Sequence, residues 1–180
     1  MKIDTEYLVY TDAKGRDPDS HSPTLKGYNQ ILWSKKLPCG SVFELQTGKP
    51  NTYLYHRSKL GEFFLSSDTI PHTYSRWKRL SHITEKVSSE EIKRFRDLCS
   101  TVSSHLIYPS NNVDGKRNIN AARGMINKIN DRFDLTLECI RRYYLNEDSP
   151  LKETFIRYSD FFLLFKNFKG YIDFFLLQDL

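Results

Sequence analysis

The sequence predicts an α+β fold, with a small antiparallel sheet in the N-terminal half packed against a mostly helical C-terminal half. Three observations lead there. The runs VFELQ (Val42 to Gln46), TYLYH (Thr52 to His56) and EFFLS (Glu62 to Ser66) are β-rich, short and separated by turn-forming residues. Ser88-Ser89-Glu90-Glu91 is a capping box, a serine at the cap and a glutamate three residues on, which opens a helix. From Asp131 onward apolar residues recur at helical spacing, as Phe133, Leu137, Ile140 and Tyr144 and then as Leu151, Phe155, Tyr158, Phe162 and Phe165. Strands first and helices afterwards is the pattern of segregated α+β layers rather than of alternating βαβ units.

Taken in chain order, Glu6 to Thr11 (EYLVYT) is a short β-rich run leading into the turn formers Gly15 to Ser20. Ser22-Pro23 starts a helix, since serine caps free N–H groups and proline has none to leave unpaired in the first turn. Leu25, Tyr28 and Leu32 follow at helical spacing, and Leu37-Pro38-Cys39-Gly40 stops the helix. Thr47 to Asn51 and Ser58 to Gly61 supply turns between the three strands. After the capping box, Ile92, Phe95, Cys99 and Val102 share a helical face. His105 to Tyr108 (HLIY) reads as a further strand, followed by a loop from Ser110 to Gly115. Ser149-Pro150 opens another helix, and Gly170 separates it from a last helical segment, Tyr171 to Leu180. The aromatic stripe Phe155, Tyr158, Phe162, Phe165, Phe174 and Phe175 is expected to supply much of the core.

At 180 residues the chain is long enough to bury a core without a staple, and residues 1–180 are expected to form one domain, with 1–110 the mixed part and 118–180 the helical part. An apolar share of 39% and an aromatic share of 14% exclude a disordered chain. The acidic start Met1-Lys2-Ile3-Asp4-Thr5-Glu6 does not fit a signal peptide, so a cytoplasmic location is expected. Cys39, Cys99 and Cys139 are too few and too widely spaced for a disulfide framework or a zinc site and are read as small buried hydrophobes. The apolar stretch Phe161 to Leu177 is broken by Lys166, Lys169 and Asp173, so no membrane crossing is expected. The formal charge of +5 leans toward anionic partners, RNA or DNA, although solubility alone accounts for an excess of this size.

Four long strings, SPTLKGYNQILWSKKLP (Ser22 to Pro38), GEFFLSSD (Gly61 to Asp68), DRFDLTLECIRRYY (Asp131 to Tyr144) and SPLKETFIRYSDFFLLFKNFKGYIDFFLLQDL (Ser149 to Leu180), resemble a domain-of-unknown-function family of bacterial proteins. The resemblance covers nearly the whole chain. It implies a bacterial protein and a C-terminally shortened one, because members continue past the position of Leu180 with a segment ending in basic residues. It carries no activity and no catalytic residues.

Among the residues themselves, Arg76, Trp77, Lys78 and Arg79 form a basic, aromatic-interleaved run suited to phosphate contact and base stacking, extended by Lys86, Lys93, Arg94 and Arg96. A solvated surface with Trp77 packed inward accounts for the same run. Lys116 and Arg117, with Arg123 and Lys128, bracket a stretch rich in asparagine (Asn118, Asn120, Asn127, Asn130), able to meet phosphates and base edges or to serve caps and turns. Asp131, Asp134 and Glu138 fall at i, i+3 and i+7, where one helical side could hold Mg²⁺, yet Arg132, Arg141 and Arg142 are interspersed as in a salt-bridged face. Asp17, Asp19 and His21 are explained by a turn and cap, while His56, His72, His82 and His105 are scattered. Cys139, among apolar neighbours, is expected to be an inert thiol with a raised pKa. No Gly-rich phosphate loop, Gly-x-Ser-x-Gly or His-Glu-x-x-His occurs, and no cofactor is expected. Three functions stay open: a nucleic-acid-interacting protein, a protein-interaction or homo-oligomerisation module using the C-terminal aromatic helices, and a metal-dependent nuclease.

Overall fold

The computed structural model describes residues 2–48, 53–69 and 81–178. The chain begins with turns rather than with the expected strand at Glu6 to Thr11. Tyr7, Thr11 and Ala13 each donate a backbone hydrogen bond three residues back, and one bridge, Leu8 to Thr101, joins the run to anything extended. Among the described residues this six-residue run has no neighbouring strand; Tyr7 and Thr11 bond locally, Val9 N–H donates to the Ser100 carbonyl at 3.0 Å, and within the run Val9 alone is buried.

Helix α1 (Pro18–His21) and helix α2 (Pro23–Trp33) follow directly. Both have an N-cap side chain and a proline in the first turn; Leu25 N–H donates to Ser22 Oγ at 3.0 Å. Strands β1 (Lys35–Lys36) and β2 (Val42–Phe43) make a two-stranded ribbon across the Leu37-to-Gly40 turn. The expected strand Val42 to Gln46 is therefore split. Its second half, β3 (Gln46–Thr47), belongs to a four-stranded antiparallel sheet with β4 (Leu54–Ser58), β5 (Gly61–Thr69) and β6 (His105–Pro109), in the order β3-β4-β5-β6. Strands β4 and β5 close on Lys59-Leu60, with Gly61 at φ 134°, a conformation that glycine alone tolerates easily. The turn expected at Thr47 to Asn51 falls largely outside the described residues.

Helix α3 (Ser81–Thr84) and helix α4 (Ser89–Cys99) lie in sequence between β5 and β6. The capping box is formed: Ser88 Oγ accepts from Glu91 N–H and the Glu91 carboxylate accepts from Ser88 N–H. Of the predicted α4 face, Cys99 is buried, Ile92 is half-buried and Phe95 is exposed, while Val102 sits in a following 3₁₀ turn and is buried. Helix α5 (Ile119–Met125), capped by Asn118, and helix α6 (Phe133–Tyr144) start the helical half. Helices α7 (Lys152–Ile156), α8 (Ser159–Leu163) and α9 (Phe168–Phe175) complete it. The single helix expected after Pro150 is thus two short ones. Gly170 does not separate segments but lies inside α9, which ends where Leu176 turns left-handed at φ 57°.

The main core spans both halves. Phe155, Phe161, Phe162, Phe165 and Tyr171 are fully buried, and Tyr158, Phe174 and Phe175 nearly so. Phe161 packs edge-on against Phe43 and Phe63, centroids 6.5 and 5.8 Å apart, so α8 covers the sheet through aromatic contacts. Trp33 from α2 lies on Phe174 and Phe175 of α9. A smaller cluster of Val9, Leu25, Tyr28 and Val102 holds the N-terminal turns to α2. The architecture is α+β. Among the described residues, no helix is long and apolar enough to cross a membrane.

Candidate functional site

A buried polar cluster is built at the end of β5, where the apolar alternation of Phe63 and Leu65 gives way to Ser66, Ser67 and Asp68. Asp68, 8% exposed, meets Arg123 of α5, 2% exposed. Arg123 Nη1 donates to the two Asp68 oxygens at 2.8 and 2.7 Å, Nε to Thr136 Oγ1 of α6 at 3.0 Å, and Nη2 to the Asp131 carbonyl at 2.7 Å. A buried guanidinium is tolerated only when its donors are met in this way. The Asn120 amide faces Asp68, and the amide orientation that satisfies both groups has its nitrogen donating to the two carboxylate oxygens at 2.7 and 3.2 Å. Consecutive left-handed residues, Asn130 and Asp131 at φ 50° and 59°, fold the chain back onto α5. Gly124 gives them room: a Cβ there would lie 2.9 Å from Asp131 Oδ1.

Asp19 of α1 closes the outer edge of the cluster and accepts a hydrogen bond from Ser67 Oγ. Burial pushes its carboxyl up to about 7 against the opposing effect of that bond, and the charges of Asp17 and Asp68 add to the rise. The Tyr53 hydroxyl is raised by burial and by the charges of Asp17 and Asp19. Lys26 Nζ donates to the Ser20 carbonyl at 2.7 Å. The result is a carboxyl group able to hold or release a proton near neutrality. Sequence reasoning put Asp19 in a turn and did not single out Asp68. The available signal was a charged residue following the apolar Phe63 and Leu65 near the end of a strand, where burial demands a partner.

Lys116 and Arg117 are exposed and leave a tight turn whose central residues, Asp114 and Gly115, are both left-handed at φ 53° and 66°. Asp-Gly suits that turn because both positions need positive φ. The turn rests on α7 and the segment after it, where Arg157 Nη2 donates to the Arg117 carbonyl at 3.1 Å and Tyr158 donates to the Asn111 carbonyl at 2.6 Å. Among the described residues neither Lys116 nor Arg117 has a carboxylate partner. Arg123, expected in this basic group, is instead consumed by Asp68. Asn118 caps α5 and Asn120 serves Asp68, so these asparagines have local roles.

A family model covers residues 3–180 and is described as a family of unknown function (DUF6994). The chain belongs to that family. No curated protein and no solved structure matches it. In this DUF6994 chain the three carboxylates read as a metal candidate are not brought together. Helix α6 starts only at Phe133, so Asp131 lies before it, its backbone already committed to Arg123. Asp134 is bound by Arg132, and Glu138 is gripped by Arg141 and Arg142, each at 2.7 Å, which holds its carboxyl down to about 2. Among the described residues no group of three or more His, Cys, Asp or Glu is arranged to hold a metal ion.

The remaining candidates sort by burial. His56 is buried, stacked on Phe43 at 4.4 Å and bonded to Glu44 and Ser58. Cys99 and Cys139 are buried with thiols raised by burial, whereas Cys39 is exposed, contrary to expectation, because its turn projects between β1 and β2. The aromatic rings expected to serve a partner are the core itself; helices α7 and α8 expose Ile156 and Leu163 instead. Arg76, Trp77, Lys78, Arg79 and His72 lie outside the described residues.

Proposed function

We propose that this protein contacts the phosphate backbone of RNA or DNA through Lys116 and Arg117, together with Arg76, Lys78 and Arg79, with Trp77 stacking on a base. The observation that supports this reading is the state of Lys116 and Arg117. The arginines of α6 are neutralised by an acid of their own helix, but among the described residues neither of these two cations, on their pinned turn, is ion-paired to a carboxylate. A cation held on a rigid turn loses little freedom when a phosphate arrives. The basic run of 76–79 leaves β5 seven residues after its last position, and the Asp68–Arg123 pair fastens that strand to the helix following Arg117. We give Asp131, Asp134 and Glu138 no catalytic part, since arginines occupy them, and the buried C-terminal rings no docking part.

The test is binding of labelled single-stranded RNA and duplex DNA across a salt series, for the native chain and for Lys116→Glu/Arg117→Glu. Each phosphate contact contributes about 0.7 to 0.9 to the slope of log K against log salt. Removing two contacts is expected to flatten the slope by roughly 1.5 and weaken binding to all sequences alike. A folded double variant with an unchanged slope removes the turn from the interface. No binding of the native chain at low salt removes the reading.

A further inference from the structure

In β4, Leu54 and His56 are buried, so strand alternation places Tyr55 and Arg57 on the opposite face. In β5, Phe63 and Leu65 are buried, and Glu62 and Phe64 take that same opposite face. The register sets Tyr55 directly across from Phe64 and Arg57 across from Glu62. The two rings stand with centroids 6.3 Å apart and planes 33° apart. A cross-strand aromatic pair strengthens a hairpin, yet Phe64 keeps 48% of its surface open to solvent. At the next pair Arg57 Nε lies 3.8 Å from Glu62 Oε2 and offsets its charge.

Phe64 is also tied to the basic turn. Its carbonyl accepts from Ser110 N–H at 2.7 Å and from the Ser110 hydroxyl at 3.0 Å. The Ser110 carbonyl in turn accepts at 2.8 Å from the side-chain amide of Asn118, the residue after Arg117. These bonds hold the turn carrying Lys116 and Arg117 against the Phe64 position of β5. The acids Asp17 and Asp19, whose charges act on the Tyr53 hydroxyl, lie toward the other end of β4. Cations beside exposed rings suit a strand whose bases are unpaired. Its phosphates meet the cations, and its base faces, which a duplex keeps inside its own stack, are free to lie on the rings.

We propose that this sheet face binds single-stranded nucleic acid, with bases stacking on Phe64 and Tyr55 while Lys116 and Arg117 hold the backbone. The assignment rests on the phosphate contacts proposed above and adds to them the form of the strand and two further contact residues. A strand enters from the Phe64 side, since the acids near Tyr53 repel phosphate at the other end.

The probes are labelled oligo(dT) and oligo(U) of about ten nucleotides, an abasic strand of the same length and charge, and duplex DNA, each titrated with the full chain across a salt series. The tighter of oligo(dT) and oligo(U) identifies the sugar, and it is expected to bind at least tenfold more tightly than the abasic strand. That comparison changes only the ligand, so it does not depend on how any variant folds. Phe64→Thr and Tyr55→Thr each remove a ring and keep a strand-forming residue. Each is expected to weaken single-strand binding about tenfold while the salt slope and the duplex affinity stay as in the native chain. Lys116→Glu/Arg117→Glu flattens the slope instead, so the two readings fail separately. A steep slope with native single-strand affinity in both threonine variants overturns stacking on Phe64 and Tyr55 and leaves the phosphate contacts standing. Equal binding of the abasic strand also overturns the proposal, and a native chain that binds no strand at low salt removes both readings.

Discussion

At Asp19 and Asp12 the same carboxyl chemistry is driven in opposite directions by its surroundings. Burial raises Asp19 to about 7, so between pH 4 and 7 the native chain binds a proton there that the unfolded chain does not. Its contribution to stability is therefore full below about 4 and lost as pH rises through 7. Burial also acts to raise Asp12, but hydrogen bonds from Ser22, Tyr7 and Thr24 outweigh it and hold the group at about 2. Stability from Asp12 is present above its unfolded value and lost as pH falls toward 2. Asp19→Asn, which keeps an acceptor for Ser67, is expected to leave stability unchanged near pH 4 and to raise it by about 1–2 kcal/mol at pH 8. Denaturant midpoints at the two pH values check this; equal destabilisation at both would show that Asp19 is not protonated in the native state.

Among the elements, α9 shows what periodicity can and cannot reveal. Its apolar residues are readable as a helix, but the helix begins at Phe168 because Asn167 accepts from Gly170 N–H at 2.8 Å and caps it. Gly170 is then needed for space, since a Cβ would overlap the Phe165 carbonyl. Gly170→Ala is expected to destabilise the protein by about 2–3 kcal/mol, although alanine is the better helix former; a thermal melt decides, and a neutral result would mean the Phe165 backbone yields. Local signals of this kind explain which parts were legible. The capping box at Ser88, the Ser22-Pro23 start and the strands β4, β5 and β6 are written in short stretches of sequence. The short run at Glu6 to Thr11 misleads, because whether a β-rich segment becomes a strand depends on a neighbour far away. The Asp68–Arg123 site was illegible for the same reason, its partners lying 55 positions apart.

For the molecule as a whole, that ion pair is the polar joint between sheet and helices, set beside a core of aromatic rings. Arg123→Met strands a buried carboxylate and is expected to cost about 3–5 kcal/mol, whereas Asp68→Asn/Arg123→Met removes both charges and is expected to recover a large part of that loss. Chemical denaturation of both variants measures it, and additive losses would show that the two residues act separately. The route of the chain around this joint has its own meaning. Thr69 and His105 are paired neighbours across the sheet, so residues 70–104 leave and return at adjacent points. The excursion is a hairpin whose turn has grown to roughly 35 residues, and closing so long a loop in place of a two-residue turn costs only about 2–3 kcal/mol of chain entropy. A change in the length of that excursion is thereby compatible with β5 and β6 keeping their register.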